Sequence, residues 1–143
     1  MGAMARCDLM DQFEAVLPGI NPADEARQIL GVMARISRAA SAAVYIERED
    51  GLRWLAGDRL PDVVAIAIER AWQSQRNRVL TGMAFTEQGA RAGENPVPSW
   101  LIWMRRPLDG GLDAVYLAGP GLRPLDACAA CLIRIAALLT RLP

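Results

Sequence analysis

The sequence predicts a single α/β domain. Its 143 residues are one domain's length, and 52% hydrophobic with 22% charged residues is typical of a globular protein. Segments with apolar residues at helical spacing alternate with short β-rich segments. Tight turns join two pairs of strands directly, which favours antiparallel pairing. Residues 1–5 resemble a cloning remnant, so residues 6–143 are expected to form the domain.

The N-terminal part predicts two helices. Residues 8–17 have helical spacing, and Pro18-Gly19 ends that helix. Asn21 as N-cap and Pro22 at the first helical position start a second helix, whose apolar stripe extends to Ala40.

A hairpin and a third helix follow. Residues 43–46 and 52–56 predict two strands, joined by a turn at 49–51. Pro61 starts a helix that is expected to end near Asn77.

The next segment predicts three further strands and a long loop. A short strand is expected at 78–81 and a loop at 86–98, because Gly, Asn and Pro are frequent there. Residues 100–104 and 112–117 are apolar on both faces and predict central strands, joined by a tight turn at 109–111.

The last helix is predicted from near Pro124 to Leu142. Its apolar run is only about 18 residues long and contains Arg134, so a buried helix explains it better than a membrane span. No membrane partner is expected.

Composition excludes several chemistries. There is no lysine and no histidine, so Schiff-base, Walker-type, Ser-His-Asp and Cys-His chemistry is absent, as are histidine metal sites. Cys128 and Cys131 lie one turn apart in an apolar helix, and Cys7 is the only other cysteine; buried structural cysteines are the preferred interpretation over a redox pair or zinc site. An odd cysteine count fits a reducing cytosol, so a cytoplasmic location is expected. No enzyme activity is expected. Zero net charge gives no reason to expect nucleic acid as a partner.

The segments in order resemble the GAF domain, a relative of the PAS domain. Residues 35–46 resemble the entry into its first strand, and 52–57 its second. Residues 99–104 match its Ser-leading strand, 111–117 its "G-x-L-Y-L" strand, and 123–126 its lead into the final helix.

This resemblance implies an antiparallel sheet of five or six strands. The N- and C-terminal helices cover one face, and the middle helix and the long loop cover a ligand pocket on the other. It also implies a regulatory sensor or dimerisation module in a bacterial signalling or transcription-regulatory protein, with an output domain in a longer chain. The residues of the bilin-binding, sulfoxide-reductase and cyclic-nucleotide subfamilies are missing, so no cofactor or characterised effector is expected. The alternative is a stand-alone interaction scaffold of the roadblock type.

The expected ligand pocket is apolar, with Arg105 as a possible anion-binding group at its rim. The candidates are Tyr45, Trp54, Ile68, Trp72, Met83, Phe85, Trp103 and Arg105. The alternative is that these large side chains fill the pocket and no small molecule binds. The Arg105-Arg106 pair has a simpler interpretation as a solvated strand end.

A homodimer is expected through the terminal helices, because the last helix has more apolar surface than one sheet covers. The candidate interface residues are Leu125, Leu132, Ile135, Leu139 and Leu142.

Overall fold

The computed structural model describes residues 22–87 and 97–141. The helix predicted at 8–17, the cloning remnant at 1–5 and most of the predicted loop lie outside these ranges.

Three helices and five strands make up the described chain. They are α1 (Pro22–Ser37), β1 (Ser41–Arg48), β2 (Gly51–Gly57), α2 (Asp62–Gln75), β3 (Met83–Glu87), β4 (Ser99–Arg105), β5 (Leu112–Ala118) and α3 (Leu125–Leu139). No helix in the described ranges is long and apolar enough to cross a membrane.

The five strands form one antiparallel sheet in the order β2-β1-β5-β4-β3. Helices α1 and α3 pack on each other and on one face, and α2 packs on the other. The predicted fold class is therefore confirmed. The inner strands β4 and β5 are buried almost throughout, as expected for strands that are apolar on both faces.

Local sequence explains how α1 ends and how β2 leaves the sheet. Arg38 adopts a left-handed φ of 61°, and the Ala39 N–H donates to the Ala34 carbonyl at 2.9 Å, which closes the helix end. Gly57 has a φ of 97°, and a Cβ there would lie 2.4 Å from the Ala42 carbonyl oxygen. Only glycine fits this close approach of the first two strands.

The prediction of a strand at 78–81 is wrong. The Val79 N–H donates to the Gln75 carbonyl at 2.9 Å, so the chain there continues the end of α2. It then turns at Gly82, whose φ is 70°, and the strand begins at Met83. Thr86 and Glu87, where the predicted loop was expected to begin, belong to β3.

Candidate functional site

Five of the eight predicted pocket residues lie together between α2 and the sheet. Tyr45, Trp54, Ile68, Trp72 and Trp103 belong to one apolar cluster on this face. Ile68 and Trp103 are 0% exposed and Trp72 is 5% exposed, so these side chains are packed against one another. As expected from its parity, Trp100 lies on the opposite face.

The indole N–H groups on this face are bonded within the chain. The Trp72 Nε1–H donates to the Leu112 carbonyl at 3.1 Å, and the Trp103 Nε1–H donates to Thr86 Oγ1 at 2.8 Å. The Trp54 Nε1–H donates to the Asp58 carbonyl at 3.1 Å. No indole donor on this face is left over for a ligand, because each has only one N–H.

Two arginines lie over the rings of this cluster. The Arg59 guanidinium is 3.8 Å from the Trp54 ring centroid, and that of Arg76 is 4.6 Å from the Trp72 ring centroid. Both distances allow cation–π attraction. Burial raises the pKa of Tyr45, which remains a neutral phenol beneath this layer near neutral pH.

The contacts of Arg105 differ from those predicted for an anion-binding group at a pocket rim. Its Nε donates to the Val79 carbonyl at 2.8 Å, its Nη1 to Gly110 at 2.6 Å and its Nη2 to Arg76 at 2.7 Å. Two of these carbonyls lie at the C-terminal end of α2, where the helix dipole is negative. The guanidinium therefore ties α2 to β4 and to the β4–β5 turn, and its charge is opposed by the carbonyls it binds.

Met83 and Phe85 were predicted in the pocket but lie on the opposite face, against the α1/α3 layer. The cause is strand parity. Ala84 pairs with Trp103 and shares its face, so the residues on either side of Ala84 point the other way.

The predicted dimer residues lie in the core of the chain. Leu132, Ile135 and Leu139 are 0–5% exposed and pack against α1 and the sheet, and Leu125 is partly buried against them. Leu132, Ile135 and Leu139 therefore do not form a surface for a second copy while the fold is intact. Leu142 lies outside the described residues. Cys128 is a buried thiol in the same helix. Cys131 is also buried there but is disulfide-bonded, which the odd cysteine count had not suggested.

A polar network on the α1/α3 face was not predicted. Arg106 Nη1 donates to Asp113 Oδ1 at 2.6 Å, and its Nε donates to Asp109 Oδ1 at 2.8 Å. The Glu47 N–H donates to Asp113 Oδ1 at 2.9 Å, and the Leu112 N–H donates to Glu47 Oε1 at 2.9 Å. Arg106 is thus not a solvated strand end.

The pKa values of the two aspartates in this network are shifted in opposite directions. Burial raises the pKa of Asp113, and the opposing attraction of Arg106 does not reverse this shift. The hydrogen bond from Arg106 lowers the pKa of exposed Asp109. The available sequence signal was an acidic residue inside a strand that is otherwise apolar on both faces.

In the described part of the chain, no three His, Cys, Asp or Glu residues form a group that could hold a metal ion.

Comparison with solved structures supports the predicted fold. The chain is similar to the GAF domain of a phosphoenolpyruvate-protein phosphotransferase from Coxiella burnetii, with a TM-score of 0.62 and 11% sequence identity. The match covers 98% of this chain and 93% of that one. No protein-family model and no curated protein matches the sequence. The chain therefore has a GAF-type fold.

Proposed function

We propose that this chain is a regulatory GAF-type domain that works through protein contacts, as a homodimer in a signalling or transcription-regulatory protein. The observation that carries the proposal is the filled α2 face. Trp72 and Trp103 occupy the volume between α2 and the sheet, and their indole N–H groups are bonded internally. A pocket for a small molecule needs open volume and free polar groups, and this face offers neither indole donors nor an unopposed Arg105 charge.

The proposal includes the absence of catalytic activity. The sequence has no histidine or lysine to act as a general base, Cys128 is buried, and Cys131 is buried and disulfide-bonded. An output domain in a longer chain would carry the activity that this domain regulates. The Coxiella GAF domain belongs to a phosphotransferase, which is a precedent for such an arrangement in that protein.

The outer face of α3 is the surface we assign to the dimer. It carries Ile133, which is 42% exposed, and the small residues Ala130 and Ala137. Small side chains let two helices approach closely, and an isoleucine near the helix centre would be buried against the partner. The stripe is distinct from the buried leucines that the sequence had suggested.

The positions of Asp126 and Arg141 fit an antiparallel, twofold arrangement. If the axis passes between positions 133 and 134, Ala130 lies opposite Ala137 of the partner subunit, and Asp126 lies opposite Arg141 of the partner subunit. Asp126 and Arg141 are both exposed. Twofold symmetry repeats each contact, so Asp126 and Arg141 would form two ion pairs across the interface.

Sedimentation equilibrium of Ile133→Arg tests the proposal. We expect the wild-type chain to be dimeric and Ile133→Arg to be monomeric with an unchanged circular dichroism spectrum. Ile66→Arg is the matched control, because Ile66 is a 53% exposed isoleucine on α2, in the other layer; it should remain dimeric. A monomeric wild type at high micromolar concentration, or a dimeric Ile133→Arg, contradicts the proposal.

Charge reversal tests the antiparallel register. Arg141→Glu should weaken the dimer, because it places like charges beside each other twice. The double variant Asp126→Arg/Arg141→Glu should recover part of that loss, by about tenfold in dissociation constant at low salt. Equal weakening in the single and double variants would contradict the register.

A further inference from the structure

A cavity lies between the α1/α3 layer and the end of β1 and β5 that is closer to the hairpin turns. Its volume is about 160 Å³. Its apolar wall is formed by Val44, Ile46, Leu55, Met104 and Leu139. An engineered apolar cavity of about 150 Å³ binds benzene, so this volume suits a molecule of similar size.

The cavity occurs where the β1–β5 ladder stops. The last paired residues are Tyr45 and Ala114, and a continued ladder would place Glu47 opposite Leu112. Instead, the Glu47 N–H donates to the Asp113 side chain and the Leu112 N–H donates to the Glu47 side chain. Side chains thus replace the backbone partners, which keeps the two strands from closing beside the cavity.

Asp113 lines this cavity, and its two carboxylate oxygens differ in their hydrogen bonds. Its Oδ1 accepts hydrogen bonds from the Glu47 N–H and from Arg106 Nη1. Within residues 22–87 and 97–141, no donor is bonded to its Oδ2, although the side chain is only 3% exposed. A buried carboxylate oxygen without a donor is costly, so a ligand that donates a hydrogen bond there would be favoured.

The charges around the cavity favour a neutral ligand. Arg48 and Arg106 contribute two positive charges, and Asp109 and Asp113 contribute two negative ones. An ion entering this site would lose its hydration without an unopposed counter-charge. The raised pKa of Asp113 agrees with this preference, because burial disfavours further charge there.

The rim of the cavity offers an apolar entry point. Leu108, in the β4–β5 turn, lines the cavity and is 94% exposed. A ligand seated below it would cover part of this side chain, which adds apolar contact at the mouth.

We propose that this cavity binds a small, neutral, largely apolar molecule that donates one hydrogen bond to Asp113 Oδ2, such as a phenol or a short-chain alcohol. Binding does not depend on the dimer. Its regulatory consequence rests on the proposed function, because Leu139 and Thr140 connect the cavity wall to α3, whose outer face we assign to the dimer.

The test uses phenol and toluene as probes, since they have the same number of heavy atoms and only phenol donates a hydrogen bond. Binding is followed by the NMR signal of the Met104 methyl group in the full chain. We expect both to shift this signal, with phenol binding at about 1 mM and about tenfold more tightly than toluene. No shift with phenol at about 10 mM, or equal affinity for both probes, overturns the proposal.

Two variants locate the site. Leu55→Trp fills the cavity and should abolish the phenol response while the rest of the NMR spectrum persists; retained binding overturns the assignment. Asp113→Asn keeps an acceptor for Arg106 and Glu47 and turns an N–H₂ group toward the vacant Oδ2 position. It should bind the acceptor-only probe benzaldehyde several-fold more tightly than the wild type does at pH 8, and no gain there contradicts the role of Oδ2.

Repeating the phenol titration on Ile133→Arg separates the two proposals. Equal phenol affinity in this variant and the wild type supports a site that is independent of assembly. If the wild type is itself monomeric, the proposed dimer fails while the phenol result still stands. If phenol fails with a dimeric wild type, only the cavity proposal fails.

Discussion

Replacing Arg105 by alanine distinguishes a structural guanidinium from an anion-binding one. The substitution removes three hydrogen bonds to the carbonyls of Arg76, Val79 and Gly110. The partly buried bond to Val79 is worth about 1.5–3 kcal/mol, as is usual for charged donors, and the two exposed ones about 0.5 kcal/mol each. The expected loss in the free energy of unfolding is therefore about 2.5–4 kcal/mol. For a domain of this size this lowers the Tm by about 10–16 °C.

Urea denaturation of Arg105→Ala, beside Arg78→Ala, measures this loss. Arg78 is exposed and close to the same end of α2, so its replacement is expected to change stability by no more than about 0.5 kcal/mol. Arg105→Lys should be intermediate, because a lysine ammonium cannot reproduce the planar fork. A loss in Arg105→Ala no larger than that in Arg78→Ala would refute the structural role, and the anion-binding interpretation would again be open.

Two further predictions concern packing and pH. Trp72→Ala should destabilise the fold by about 3–5 kcal/mol in urea denaturation, and Trp54→Ala by clearly less, because Trp54 is partly exposed; equal losses would argue against a filled α2 face. Asp113 has a raised pKa in the folded state, so its contribution to stability is present below the unfolded value of about 3.9 and is lost as pH rises through the folded pKa. The free energy of unfolding of the wild type minus that of Asp113→Asn should therefore fall with rising pH. The corresponding difference for Asp109→Asn should rise with pH, since the pKa of Asp109 is lowered. The same sign for both would contradict the assigned causes.

The described helices and four of the five described strands could be predicted from the sequence because their signals are local, and the resemblance to the GAF domain implied how they are layered. Apolar periodicity predicted every described helix, and the two-sided apolar strands at 100–104 and 112–117 predicted their inner place in the sheet. We predicted Tyr45, Trp54 and Trp72 on one face from the pairing of the first two strands, the helical spacing of Ile68 and Trp72, and the resemblance to the GAF domain.

What the sequence could not supply was set by long-range geometry. Arg105 binds backbone carbonyls. Because every residue type has a carbonyl, no pattern of side chains in the sequence could predict these hydrogen bonds. The apolar stripes of α3 were visible, but whether α1 and the sheet or a second copy covers them depends on tertiary packing. Met83 and Phe85 were misplaced because they were expected to lead into the loop rather than to lie in a strand, so no strand parity assigned them to a face.

The proposed function depends most directly on a closed α2 face, and hydrogen exchange at the Trp72 indole N–H tests whether this face is closed. This proton is buried and donates to the Leu112 carbonyl, while the indole of Trp54 is bonded at an exposed position. We predict that the Trp72 indole exchanges only on nearly global unfolding, far more slowly than that of Trp54. Exchange of Trp72 as fast as that of Trp54 would show that the face opens readily, and would contradict the proposed function.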